Sequence, residues 1–178
     1  MTKPKHPLLR KVMTKAQAKA KICRLQKQGK VIGFTNGCFD LLHLGHLHTL
    51  TLARKKCDAL FVGLNSDDYL RRTKGPDRPV QDEATRSGIL GALECVDGVI
   101  VFNEDTANDL IDTLRPDITA KYVPDLSHWP EGRLVRSYGG RAVILPKLGD
   151  HSTSHTLVGV RSGHLHSRCT NLTPTPFK

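Results

Sequence analysis

Thr35-Asn36-Gly37-Cys38-Phe39-Asp40-Leu41-Leu42-His43-Leu44-Gly45-His46 lies between two patterned segments. Before it, Val31-Ile32-Gly33-Phe34 is an apolar run that predicts a buried strand. After it, Leu47, Leu50, Leu52 and Ala53 recur at helical spacing. Two histidines and two glycines therefore fall where a first strand turns into a first helix. In an open parallel sheet, ligands gather at the carboxyl ends of the strands. A helix starting there offers free N–H groups and a partial positive charge, which suits phosphate. Gly37 and Gly45 carry no Cβ, so the backbone can come close to a ligand. His43 and His46 are three apart and share a helix face.

The alternation continues outward. Strands are expected at Val31–Thr35, Ala59–Leu64, Gly98–Phe102, Ile118–Tyr122 and Ala142–Leu145. Helices are expected at Leu44–Lys56, Asp82–Leu93, Thr106–Leu114 and Glu131–Ser137, with a last one from Ser152 to about Arg161. An earlier helix follows Thr14, which with Gln17 has the spacing of a capping box, and ends near Gly29. Strands alternating with helices imply βαβ units and a parallel sheet. The expected organisation is a basic, disordered lead-in over residues 1–12, one domain over 13–161, and a disordered tail over 162–178.

Length and composition narrow the class. A chain of 178 residues suffices for one domain with a real core. No apolar run is long enough to span a membrane, and no signal-peptide pattern opens the chain. The net charge of +10 is uneven: residues 1–30 hold ten Lys and Arg with no Asp or Glu, and the remainder is neutral by count. A solvated helix is the expected role of that arm. It lacks the interleaved aromatics of a single-strand nucleic-acid binder, so neither nucleic acid nor membrane is an expected partner. Five cysteines, with no C-x-x-C pair, argue against a disulfide framework or structural zinc and suit a cytoplasmic setting. Cys38 reads as a small packed thiol, because nothing by spacing turns a base toward it. His43-x-x-His46 finds no third metal ligand by spacing, so no metal site is expected in the protein itself.

The central string resembles the nucleotidyltransferase superfamily with the His-x-Gly-His motif. In its full form, Thr-Asn-Gly-Cys-Phe-Asp-x-x-His-x-Gly-His, it is similar to the adenylyltransferase domain that makes ADP-heptose. The resemblance covers about residues 30 to 160. It implies an α/β, Rossmann-like, doubly wound five-stranded parallel sheet in a single domain. It also implies that His43 and His46 face the phosphates of a nucleoside triphosphate, with Gly37, Cys38, Phe39, Asp40 and Gly45 forming the loop around the nucleotide.

Further motifs carry the resemblance. Asn65-Ser66-Asp67 closes the second strand, and Arg71-Arg72-Thr73-Lys74-Gly75-Pro76-Asp77-Arg78-Pro79-Val80 then reads as a basic loop. The heptose adenylyltransferases have Asn-Ser-Asp and Lys-Gly-x-x-Arg-Pro-Val there. Lys74 matches a lysine that related cytidylyltransferases place near the α-phosphate, and Arg78 joins it at the nucleotide. Arg86, followed by Leu90 to Asp97, matches an arginine that points toward the active-site loops, with a plain salt bridge as the competing role. Glu104-Asp105-Thr106 through Pro116-Asp117 matches as helix punctuation. Ser152-Thr153-Ser154 stands where the superfamily has a hydroxyl motif that reaches the triphosphate.

Departures fall on the acceptor side. The family's Val-Lys-Gly-Gly-Asp-Tyr becomes Ala120-Lys121-Tyr122-Val123-Pro124-Asp125, which keeps the lysine and stiffens the glycine pair. Asp125 stands one place from the family aspartate. Lys147, in Leu145-Pro146-Lys147, replaces an apolar residue of the heptose enzymes and is closer to the Leu-Pro-Arg of glycerol-phosphate cytidylyltransferases. Asn65, Arg86, Lys121, Asp125 and Lys147 are the substrate-side candidates. The implied partners are ATP, or CTP in the second reading, and a sugar 1-phosphate, with Mg2+ carried by the triphosphate. A homodimer is implied by the resemblance alone, and a non-catalytic nucleotide-binding protein is the reading from another class.

Overall fold

The computed structural model describes residues 6–149. Five strands form one sheet: β1 (Ile32–Gly37), β2 (Ala59–Asn65), β3 (Gly98–Phe102), β4 (Ile118–Lys121) and β5 (Arg141–Ile144). Their order is β3-β2-β1-β4-β5, and every pairing is parallel. The order reverses beside β1, so a crevice opens at its carboxyl end.

Alternation along the strands feeds two cores. Ile32 and Phe34 of β1, Phe61 of β2 and Ile100 and Phe102 of β3 pack with α1 (Lys15–Lys27) and α5 (Asn108–Leu114), and Val135 of α6 (Pro130–Ser137) joins them. Leu60, Val62 and Leu64 face the other way, onto Leu50 and Ala53 of α2 (Leu44–Arg54) and Leu90 of α4 (Glu83–Ala92). Such period-2 partition is what a sheet covered on both faces requires.

The expected elements appear with ends shifted by one or two residues. Thr14 caps α1, and its reciprocal bond with Gln17 completes the capping box. One helix is additional: α3 (Asp67–Lys74), capped by Ser66, whose hydroxyl accepts the Tyr69 N–H. Arg71 to Lys74 are thus the last turn of a helix and not the start of a loop. Gly75, at φ 101°, ends it in a conformation that favours glycine.

Residues 6–12 also differ from the expected loose lead-in. Pro7–Leu9 form a 3-10 turn, and Val12 bridges to Val99 at the outer edge of β3. The Lys11 Nζ donates to the carbonyls of Leu93 (2.9 Å) and Val96 (2.6 Å), and Lys21 Nζ donates to that of Asp97 (2.6 Å). Two cations of the basic arm therefore bind carbonyls of the turn between α4 and β3. The expected helix from Ser152, its Ser152 and Thr153, and the tail lie outside the described residues.

Candidate active site

The residues of the quoted stretch converge where β1 ends. His43 takes an extended backbone conformation and is the N-cap of α2, while His46 sits in that helix's first turn. Their rings stack with centroids 3.8 Å apart, and Phe39 leans on His46 at 5.1 Å. Phe39 holds φ 45°, an uncommon conformation for a side-chain-bearing residue, and is buried. A Cβ on Gly37 would come within 3.2 Å of the Phe39 ring. Gly37 therefore makes room for Phe39, and through it for the histidine stack.

Burial pushes His46 down to about 4, and the neighbouring His43 adds to the shift while Leu41 and Asp40 oppose it. His46 is accordingly a neutral imidazole near pH 7. No side chain caps the first turn of α2, in contrast to α1, α3 and α4. A helix start without a side-chain cap, with the His46 imidazole in its first turn, is an arrangement that accepts anions.

A pocket of about 180 Å3 lies there, lined by Asn36, Gly37, Phe39, His46 and Thr49 together with Lys121 and Tyr122. Thr49 follows His46 by one helical turn and β4 delivers Lys121 as its last residue. A larger cleft of about 320 Å3 separates the starts of α3 and α4, but four carboxylates, Asp67, Asp68, Asp82 and Glu83, wall it against one cation, Arg71, which is itself paired with Asp68. Those carboxylates repel phosphate, so the chemistry favours the smaller pocket.

Several residues expected at the ligand hold the loops in place. Buried Asp40 accepts the N–H groups of Val80 (2.9 Å) and Gln81 (3.1 Å) and pairs with Arg78 at 3.0 Å. The segment after α3 is thereby tied to the histidine loop, and spacing could not have told that Asp40 and Arg78 meet each other. Arg86 is fully buried: it donates to the carbonyls of Gln81 (2.9 Å), Cys38 (2.6 Å) and Asn65 (2.9 Å) and pairs with Asp67 at 2.7 Å. Arg86 thus both points toward the active-site loops, at the Cys38 carbonyl, and forms a salt bridge with Asp67.

Asn65 contributes its carbonyl to Arg86, and its side chain lies 3.8 Å from the Cys38 thiol. Burial pushes the Cys38 thiol up, against the pull of Lys74, Arg86 and Lys121. A raised pKa suits packing and not a thiolate nucleophile. The same three cations mark the neighbourhood as positive, Lys74 at the end of α3 among them. Asp125 is exposed and outside the pocket wall: its carboxylate takes hydrogen bonds from Ser127 and His128, which hold it well below the usual carboxylate range. The stiff Tyr122-Val123-Pro124 run leads it away into that turn. Lys147 is exposed, two residues beyond buried Leu145, whose N–H donates to the Lys121 carbonyl at 2.9 Å.

Asn36, Thr49 and Glu131 belong to the site region and were not singled out by sequence reasoning. The helical spacing of Thr49 from His46 was a usable signal. Glu131 offered none, because the residue it serves is 95 positions away.

Among the described residues, no group of three or more His, Cys, Asp or Glu side chains could hold a metal ion. The donors present, imidazoles, ammonium groups and backbone N–H groups, complement phosphate oxygens. No helix of the described residues is long and apolar enough to cross a membrane.

Comparison with known proteins follows the same lines. Residues 34–144 match a family model described as cytidylyltransferase-like. A bifunctional protein HldE of Acidiphilium cryptum is 48% identical over 162 residues, 90% of this chain and 33% of that protein. Its counterpart in Syntrophotalea carbinolica is 49% identical over 135 residues, 74% of this chain and 27% of that protein. The chain thus spans about a third of the length of the curated relatives it matches. Among solved structures, a lipopolysaccharide core biosynthesis protein from Thermoplasma volcanium GSS1 superposes with a TM-score of 0.58 at 27% identity, covering 67% of this chain and 99% of that one. A pantoate-beta-alanine ligase from Francisella tularensis, complexed with beta-gamma ATP and beta-alanine, gives 0.57 at 16% identity, over 80% and 68% of the two chains. At that identity the likeness concerns the fold alone.

Proposed function

The chain belongs to the cytidylyltransferase-like family, and from that membership we propose a nucleotidyltransferase that joins the nucleoside monophosphate of ATP to a sugar 1-phosphate. The expected acceptor is D-glycero-β-D-manno-heptose 1-phosphate, and the products are ADP-heptose and pyrophosphate. The identity to bifunctional HldE proteins supports the sugar reading, as does the resemblance of the Thr35–His46 string to heptose adenylyltransferases.

The observation that carries the reaction class is His46, stacked on His43 at a helix start without a side-chain cap and lining a pocket that Lys121 also lines. A phosphate oxygen of the acceptor attacks the α-phosphorus of ATP, the bond to the bridging oxygen breaks, and pyrophosphate leaves. No covalent bond to the protein forms. The protein lowers the barrier by positioning and by stabilising charge on the phosphoryl oxygens. His43 and His46 donate to those oxygens. Lys74 and Lys121, both close enough to act on Cys38, neutralise charge. Arg86, Asp40 and Arg78 keep the loops in register so that these donors stay aimed. Ser152 and Thr153 join at the triphosphate in this reading. Mg2+, held by the triphosphate's own oxygens, supplies charge neutralisation when bound.

Lys147 favours a second reading, a cytidylyltransferase on a small alcohol phosphate such as glycerol 3-phosphate. Pyrophosphate release with Mg2+ separates the two, with ATP and CTP each paired with heptose 1-phosphate and glycerol 3-phosphate. Release only with ATP and the heptose is expected. Release with CTP and glycerol phosphate would move the protein to the second reading, and silence throughout would overturn both.

A further inference from the structure

Asn36 stands at the carboxyl end of β1 and is one wall of the pocket that His46 and Lys121 also line. Its side chain is nine-tenths buried, and its Oδ1 finds no hydrogen-bond partner among the described residues. Burying an amide oxygen without a partner is costly, on the order of 1–3 kcal/mol. Few such atoms persist in proteins without a ligand or water to serve them.

The orientation of that amide is set from behind. Glu131, buried in the first turn of α6, receives the Asn36 Nδ2 at 3.5 Å on Oε1. The same oxygen takes the Ala107 N–H at 3.4 Å, at the start of α5. An oxygen that accepts a backbone N–H is acting as an acceptor, so the NH2 side of the Asn36 amide must face it. The Oδ1 is thereby turned away from Glu131, on a residue that walls the pocket.

We propose that Asn36 Oδ1, held in this orientation by Glu131, is the acceptor for a substrate hydroxyl in the nucleotidyltransferase pocket. Asn36 would touch the substrate, and Glu131 would be a positioning residue. The inference rests on the proposed function for the identity of the ligand. Two hydroxyl sources share this chemistry: the sugar 1-phosphate and the ribose of the nucleotide.

Direct calorimetric binding tests it without requiring turnover. ATP, 2′-deoxy-ATP, 3′-deoxy-ATP and heptose 1-phosphate are titrated separately into wild-type protein, Asn36→Ala, Glu131→Leu and Glu131→Gln. Loss of one hydroxyl bond should weaken one ligand by about three- to tenfold in Asn36→Ala and in Glu131→Leu. A glutamine at 131 keeps a carbonyl acceptor for Nδ2 and should restore affinity to within about twofold. If the sugar supplies the hydroxyl, only heptose 1-phosphate weakens. If the ribose does, ATP weakens and one deoxy analogue loses its distinction from ATP. Should Asn36→Ala leave a buried carboxylate unpaired and unfold, the double variant Asn36→Ala/Glu131→Gln removes that burden and gives the same readout. Unchanged affinities in folded variants would overturn the proposal, as would equal weakening of every ligand. A wild-type protein that binds ATP and shows the expected pattern, yet releases no pyrophosphate with any acceptor, would leave the hydroxyl contact standing and remove the enzymatic reading instead.

Discussion

His46 combines two demands that work against each other in the free protein. In the proposed reaction it lies deep enough to meet a phosphate, and burial holds it neutral with a value of about 4. In the unfolded chain the same imidazole returns to its ordinary 6.5. As pH falls from 6.5 toward 4, the unfolded state takes up the proton and the folded state does not, so stability declines across that window. Above 6.5 neither state binds the proton and this slope vanishes. Thermal denaturation between pH 4 and 7 should show a steeper loss for wild type than for His46→Ala, and parallel curves would refute the assignment. At pH 7.5 the same substitution should lower kcat on the order of a hundredfold, as loss of one donor to a charged transition state does. Unchanged pyrophosphate release would exclude His46 from the chemistry. The sequence made His43 and His46 legible because strand, glycines and helix start all lie within twelve residues. It did not reveal that Asp40 answers Arg78, or that Arg86 answers Asp67, since spacing does not say which charged side chains meet in space.

Arg86 shows how separate elements are bound into one site. From α4 it reaches the loop after β1, the end of β2 and the first residue of α3, using carbonyls of Cys38 and Asn65 and the carboxylate of Asp67. Removing the guanidinium leaves those acceptors facing a void. Arg86→Ala should cost about 3–5 kcal/mol in urea denaturation, the usual penalty for breaking a buried pair from one side. Arg86→Lys should recover only part of it, because an ammonium cannot reproduce the planar fork. Equal stability of Arg86→Lys and wild type would show that charge alone suffices. At α6, a Cβ on Gly132 would stand 2.6 Å from the buried Trp129 ring. Gly132→Ala should therefore destabilise by about 1–3 kcal/mol through overpacking, with a shift in Trp129 fluorescence as the local readout. The remaining helices and strands were readable from apolar period, and α3 was not. Leu70 is its only fully buried residue, so no apolar stripe announces it. Its signals were electrical: a Ser66 cap, Asp67 and Asp68 in the first turn, and Arg71, Arg72 and Lys74 in the last.

Across the molecule, the division of labour follows the strand order. The candidate site gathers at the middle strand β1 and its neighbour β4, where the order reverses and the crevice opens. The outer side of β3 lies two strands away from β1, and there the N-terminal segment lies alongside: the Met13 N–H donates to Val99 (3.0 Å) and the Val99 N–H donates to Lys11 (2.9 Å). An open strand edge offers unpaired N–H and C=O groups to other chains. The basic arm thus covers an edge, a role its composition did not suggest because charge counts say nothing about backbone pairing. Deleting residues 1–13 should uncover β3, remove the cation that holds the Leu93 and Val96 carbonyls, and take Met13 from the core it packs against. The expected result is a Tm lower by at least about 5 °C, which corresponds to a loss of roughly 2 kcal/mol for a domain of this size, together with rising light scattering at micromolar concentration. Turnover per folded molecule should stay close to that of the full chain, because these bonds tie the N-terminal segment to β3 and the end of α4, not to β1, β4 or the histidine loop. A truncated protein with unchanged Tm would show that the edge needs no cover. One with unchanged Tm but lost nucleotide affinity would instead place the arm's cations at the ligand.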